Sequence, residues 1–165
     1  MTVVFFHSRC ASNASKTLSA SWYEFTKAEI LKQADLSPDS IISSYNEDRS
    51  FKKEHYFSGG HEYLIRGYDK GILCIETHFS KEGSFELRRE LCDNGNLTFE
   101  GIAYKKHFYG LSTWRYCDGQ LMQQGVRYDD KKVGVWKTFD QKGRQIEETD
   151  YKSIAQLDSM PTFTN

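Results

Sequence analysis

Five histidines and four cysteines are the residues of this chain best suited to metal or nucleophilic chemistry. His55 and His61 lie six apart, and a site with Cys74 or His78 can be drawn, yet no Cys-x-x-Cys or His-x-x-x-His spacing occurs. Zinc centres take their ligands in such short pairs, so scattered turn and surface histidines are expected, with no metal and no other cofactor. Cys92 and Cys117 stand at matching places before Asp93 and Asp118, where neighbouring strands could align them as a redox pair. Free, mostly buried packing thiols are expected instead, because nothing in the sequence indicates the oxidising compartment that a disulfide needs. Serine, histidine and aspartate are all present, but no Gly-x-Ser-x-Gly elbow exposes a nucleophile. Gly59-Gly60, and Gly67 with Gly71, lack the Gly-Lys-Ser/Thr or strand-glycine-helix setting of a phosphate loop and read as turns. The acids fall in turns and at edges rather than as a cleft pair for glycoside hydrolysis. No catalytic residue is assigned, and no small-molecule substrate is expected.

The elements that would position any site come next. At 165 residues and 19.2 kDa the chain is one domain, or a small domain with an appendage. Hydrophobic residues at 38% and aromatics at 15% make it globular, with large flat side chains filling the interior. Lys plus Arg total 22 against 23 Asp plus Glu, a balance that disfavours nucleic acid and a polybasic membrane anchor as partners. Val3 to Phe6 is too short for a signal-peptide core, and no stretch approaches the roughly twenty apolar residues of a membrane span. A cytoplasmic protein is expected.

All twelve glycines lie at or after Gly59, which separates two differently built parts. In the first, Val3 to Phe6 reads as a short strand. Ser21-Trp22-Tyr23-Glu24 has the form of a capping box, and Trp22, Phe25, Ala28 and Leu31 recur on one side, predicting a helix over about 21–35 that ends at Ser37-Pro38. In the second part the sequence repeats. Gly71, Gly95, Gly119 and Gly143 are 24 residues apart, and Tyr56, Phe79, Tyr104, Tyr128 and Tyr151 follow at spacings of 23 to 25. Gly110 and Gly134, ahead of Trp114 and Trp136, form a third ladder. The copies share a glycine turn, Asn94-Gly95 and Asp118-Gly119 in two of them, and alternating polarity in the flanks, as in Met122, Gln124, Val126 and Tyr128 against Gln123, Gly125 and Arg127. The predicted fold is therefore mainly β: tandem antiparallel hairpin repeats forming an elongated twisted sheet, with one N-terminal α-helix. Residues 1–44 form a strand-and-helix cap over the first degenerate repeat, 45–151 the repeats, and 152–165 a tail.

The run from Tyr128 through Gly134-Val135-Trp136 and Gly143 to Tyr151 resembles the MORN-variant (YwqK-type) repeat of bacterial proteins. The copy from Gly95 to Tyr116 is similar, with three residues rather than one between Gly110 and Trp114, and the two copies before it lack the Trp. The resemblance implies a hairpin-repeat sheet used as a binding scaffold, in a family often associated with antitoxins and immunity proteins, with no catalytic residues to carry over. The expected partner is thus a protein, a cognate toxin, with a scaffold that binds another protein or a lipid surface as the alternative. A tyrosine-rich sheet could instead stack sugars or single-stranded nucleic acid, but a ladder at the repeat period is expected to be core. With Trp114, Trp136 and Tyr128 inward, Arg115, Lys137 and Arg127 would project from the opposite side. Together with Glu148 and Asp150 they form the predicted partner-binding row.

Overall fold

The computed structural model describes residues 9–152 and 159–163, with side chains of the helix from Ser19 onward. Helix α1 (Arg9–Leu31) is followed by ten strands: β1 (Ser40–Tyr45), β2 (Phe51–Ser58), β3 (His61–Asp69), β4 (Ile72–Phe79), β5 (Phe85–Leu91), β6 (Leu97–Tyr104), β7 (His107–Arg115), β8 (Leu121–Tyr128), β9 (Lys131–Phe139) and β10 (Gln145–Asp150). The strands pair in chain order as one antiparallel ten-stranded sheet with two free edges, β1 and β10. This is the hairpin meander that the repeats predict, with a single helix. The sheet begins at Ser40, ahead of the first repeated tyrosine. No helix among the described residues is long and apolar enough to cross a membrane.

Two kinds of turn join the strands, and they alternate from β5 onward. Gly95, Gly119 and Gly143 each donate their N–H to the carbonyl three residues back, at Cys92, Tyr116 and Asp140 (2.8, 2.8 and 2.9 Å). Each adopts the left-handed φ of 81°, 90° or 75° that closes such a turn. The residue before each glycine does not share that φ, so these are not the two-residue turns read from the sequence. The tight turns with positive φ at both central residues are Gly59-Gly60, Lys70-Gly71, Lys105-Lys106 and Asp129-Asp130.

The helix differs from its prediction in three respects. It starts by Arg9, so Ser21 to Glu24 lie in its interior, where intrahelical carbonyls already accept the N–H groups that a capping box would serve. Its buried face is Ser19, Tyr23, Thr26 and Ile30, while Phe25 is 60% exposed and Ala28 also faces solvent. The true stripe has spacings of four, three and four, but a Ser and a Thr within it hide it from a hydrophobicity reading. The helix also lies across β4 to β7, in the middle of the sheet, rather than over the first repeat. There Tyr23 and Ile30 close on Phe85, Leu87 and Ile102 to form the buried core, and the Trp22 ring rests on the backbone of Gly110, where a Cβ would come within 2.5 Å of it.

The C-terminal tail is not a free tail where it is described. Trp22 Nε1 donates to Pro161 O at 2.7 Å, and the Phe163 ring packs on Phe85 at 4.4 Å between centroids. Phe163 thereby completes the helix-side core that Phe85 alone leaves open. The predicted strand Val3 to Phe6 lies outside the described residues.

Cys92 and Cys117 are disulfide-bonded, Cα atoms 5.7 Å apart, which corrects the expectation of free thiols. The turns themselves explain it: Cys92, Tyr116 and Asp140 are the equivalent first residues, so Cys117 sits one place later and turns toward the neighbouring loop. Asn94 and Asn96 side chains donate to Cys117 O at 2.9 and 2.7 Å, binding the same two turns together. Cys74 is a half-buried free thiol that donates to Gly67 O at 3.4 Å.

Candidate functional site

Residues opposite one another across an antiparallel ladder share a face of the sheet. On the helix side one such row runs Glu54, Arg66, Glu76, Arg89, Glu100, Thr113, Gln124, Lys137, Glu148, crossing β2 to β10. Its charge alternates from Glu54 to Glu100, so each cation finds an acid beside it. Arg66 Nε meets Glu76 and Arg89 Nε meets Glu100, both at 2.9 Å. At the outer end Glu54 is held by Lys52 and Tyr56, hydrogen bonds that lower its carboxyl to about 2.

Glu100 is the hub of this row because the helix reaches it. Tyr23 and Lys27, four residues apart and so on one helix face, bring their OH and Nζ to Glu100 Oε1 at 2.7 and 2.6 Å. Burial pushes the Glu100 carboxyl up, but the Lys27 and Tyr23 contacts outweigh it and leave it below the usual carboxylate range. Burial, reinforced by the hydrogen bond to Glu100, raises the Tyr23 phenol. Beside this hub a cleft of about 290 Å³ opens between α1 and β6–β8, with Lys27, Thr113, Arg115 and Gln124 in its lining. Its lining offers charged and hydrogen-bonding side chains. Sequence reasoning missed Tyr23, Lys27, Arg89 and Glu100. The alternation of charge with apolar residues in β5 and β6, and the spacing of four between Tyr23 and Lys27, were the available signals.

Of the five predicted partner-binding residues, the structure brings four to this face. Arg115 is exposed and donates to Gly119 O at 3.2 Å. Lys137 and Glu148 are directly opposite and pair at 3.4 Å, so they neutralise one another. Asp150, two residues beyond Glu148, accepts the backbone N–H of Lys152 at 2.9 Å.

Arg127 is on the other face. Its guanidinium lies 5.4 Å from the Trp114 ring and 5.6 Å from the Trp136 ring. Tyr128, taken to share the side of the tryptophans, is on the helix side against Tyr109, ring centroids 5.2 Å apart. The extra residues at the β7 and β9 bulges shift the alternation between the tyrosine and tryptophan ladders, which is why the two ladders belong to opposite faces.

That second face is built on small residues. Gly101, Ser112 and Gly125 are in register, and aromatic rings close over the two glycines: Phe99 and Phe108, edge to face, over Gly101, and Trp136 over Gly125 so closely that a Cβ there would overlap the indole. Phe99, Trp114 and Trp136 then form a continuous ring series at centroid spacings of 4.7 and 5.7 Å.

No protein-family model and no curated protein matches the chain. Among solved structures, a crystal structure of TarM is similar at 10% identity and a TM-score of 0.33, covering 84% of this chain and 25% of that one. A variant of S. aureus TarM in complex with fondaparinux, alpha-GlcNAc-glycerol and UDP matches at 9% identity and a TM-score of 0.35, over 86% of this chain and 26% of that one. The chain thus spans about a quarter of the length of these structures.

Proposed function

We propose that this chain is a non-enzymatic protein-binding module, an immunity protein or antitoxin that neutralises a toxin by binding it directly and occluding its active site. The observation that carries this reading is the helix face: a charge row in fixed register across β2 to β10, braced at Glu100 by Tyr23 and Lys27 from α1. Such a surface is preformed, so little ordering is needed on association, and its charges steer the encounter. The resemblance of residues 128–151 to the MORN-variant repeat supports the same reading. Arg115, Lys137, Glu148 and Asp150 are the proposed contacts, and the cytoplasm is the proposed compartment.

The test is a tagged capture from the native host with native mass measurement of the complex. A single stoichiometric partner that is toxic when expressed without this chain supports the proposal; recovery of lipid or of many proteins moves it to a scaffold. Reversing Arg115→Glu and Lys137→Glu together should weaken capture at least tenfold. Both positions are solvent-accessible, so the melting temperature should hold, exposed pairs contributing about 0.2–1 kcal/mol.

A further inference from the structure

On the face away from the helix, β7 to β10 carry aromatics and cations in alternation. Phe108 and Trp114 are followed by Arg127, then Trp136, Lys132 and Tyr151: Arg127 lies 6.0 Å from the Phe108 ring, and Lys132 Nζ lies 4.3 Å from the Trp136 ring and 5.7 Å from Tyr151. Arg127 and Lys132 are partners in register. Two like charges directly opposite repel, and neither has an ion pair among the described residues. The nearest acid is turned away. Asp130 directs its carboxylate at His107 Nδ1 and the Phe108 N–H, at 2.7 and 2.8 Å, and presents only its carbonyl oxygen to Arg127 Nη1, at 2.7 Å.

A second observation points the same way. Arg127 Nε is buried and has no hydrogen-bond partner, although a desolvated donor on a charged group is costly to leave unpaired. Nη1 is engaged and Nε is covered, so an oxyanion meets Nη2 first and completes the Nε–Nη2 fork that matches a carboxylate as the groups over Nε give way.

We propose that Arg127 and Lys132, set among Trp114, Trp136 and Tyr151, form a carboxylate-binding site that takes an Asp or Glu side chain of an acidic, aromatic-bearing segment of the protein partner. With the Asp130 carboxylate turned to His107 and the Phe108 N–H, the two cations are left for an outside oxyanion, and the planar fork of Arg127 fits a carboxylate. Trp114 and Tyr151, the rings here that keep accessible surface, supply apolar area for the side chain that follows the acid. The site deepens the protein-binding reading and rests on it, but places a second contact on the face opposite Arg115 and Lys137.

The test is a titration of the isotopically labelled full chain with acetyl-Glu-Phe-amide, acetyl-Gln-Phe-amide and inorganic phosphate, read by NMR at the Trp114 and Trp136 indole N–H and the Arg127 Nε–H. The Glu peptide should shift all three, and the Gln peptide at least tenfold less. Lys132→Gln should weaken the response several-fold without lowering the melting temperature, since it relieves a like-charge pair. Arg127→Lys, which keeps charge and stacking but loses the fork, should weaken it about tenfold. Equal response to both peptides, response to phosphate alone, or no response each overturns the site. Stoichiometric capture of a toxin by a chain that fails this titration removes the site and leaves the proposed function standing; a positive titration with no protein captured does the reverse.

Discussion

Gly125→Ala is the sharpest test of how the exposed face is built. Trp136 is 2% exposed although no helix covers it, because its ring lies on the bare backbone of Gly125 and its Nε1 donates to Val126 O at 3.0 Å. An alanine methyl there occupies the indole's place, so the ring must lift. Losing about half of the burial of a roughly 200 Å² aromatic at about 25 cal/mol/Å² costs about 2.5 kcal/mol. The lost hydrogen bond adds about 1 kcal/mol, and weaker stacking with Arg127 and Lys132 about 0.5 kcal/mol. The smaller backbone entropy of alanine offsets about 0.5–1 kcal/mol. The net destabilisation is about 3 kcal/mol, or roughly 6–12 °C in Tm for a chain of this size. Urea and thermal unfolding followed by tryptophan fluorescence would measure it, with a red shift as Trp136 meets water. In a Trp136→Val background the same substitution should cost nothing, giving a coupling of about 3 kcal/mol in the double-mutant cycle. A wild-type cost below about 0.5 kcal/mol, or an equal cost in both backgrounds, would refute the ring-on-glycine account.

His78 is buried at 7% exposure with neither ring nitrogen hydrogen-bonded, and burial lowers its pKa from 6.5, with Glu76, Arg89 and Arg66 the charges around it. The unfolded chain therefore takes up a proton below about pH 6.5 that the folded chain refuses, and stability should fall by up to about 1.4 kcal/mol per pH unit from there down to the folded value. His78→Leu should flatten that slope between pH 6.5 and 5.5 and raise stability at pH 7.5 by about 1–2 kcal/mol, as compared by melts at the three pH values; an unchanged slope would reassign the acid sensitivity. The Cys92–Cys117 bond closes a separation of 25 residues, for which chain entropy gives about 3 kcal/mol. Cys117→Ser, or reductant, should lower Tm by roughly 6–12 °C, and thiol titration of protein taken from its host would set the bond against the proposed cytoplasmic compartment. A fully reduced pair in a chain of unaltered Tm would contradict the clamp.

The repeat made most of the sheet legible: a 24-residue glycine period, alternating polarity and turn residues sufficed to predict antiparallel hairpins in chain order over residues 45–151, but not β1, which precedes the repeats. The helix was legible only in part. Tyr23 and Ile30 face the core through a stripe completed by Ser19 and Thr26, polar residues that are buried because the helix packs close to the sheet and that carry no hydrophobic signal. The site was half legible for a related reason. Strict alternation assigns Arg115 and Lys137 to the side opposite Trp114 and Trp136, as the structure has them, but a single bulge reverses the side of everything beyond it, and the bulges at Gly110 and Gly134 put Arg127 among the tryptophans rather than opposite them. The disulfide was hidden by a one-residue offset between turns that look equivalent in sequence.

The two faces also explain why only the later copies keep their tryptophan. A strand of an open sheet must bury apolar surface on at least one side to be stable. For β4 to β7 the helix and Phe163 supply that burial, with Phe85, Leu87 and Ile102 beneath them. On β8 and β9, where Ser19 and Ala20 of the helix line a pocket with Val126 and Val135, burial comes also from rings folded onto glycines on the opposite face, Trp136 on Gly125 above all. The two modes overlap at β6, where Ile102 points to the helix and Phe99 to the ring series. Beyond them lie the edges. β10 carries Glu147, Glu148 and Asp150, charges that discourage another strand from pairing. β1 carries none, and leaves Ile41 and Ile42 51% and 58% exposed. The first copies bury their strands without an indole: the Phe51 ring tip sits on Gly67, within 2.9 Å of where a Cβ would lie, and the helix reaches β4 and β5, so nothing there requires Gly-x-Trp.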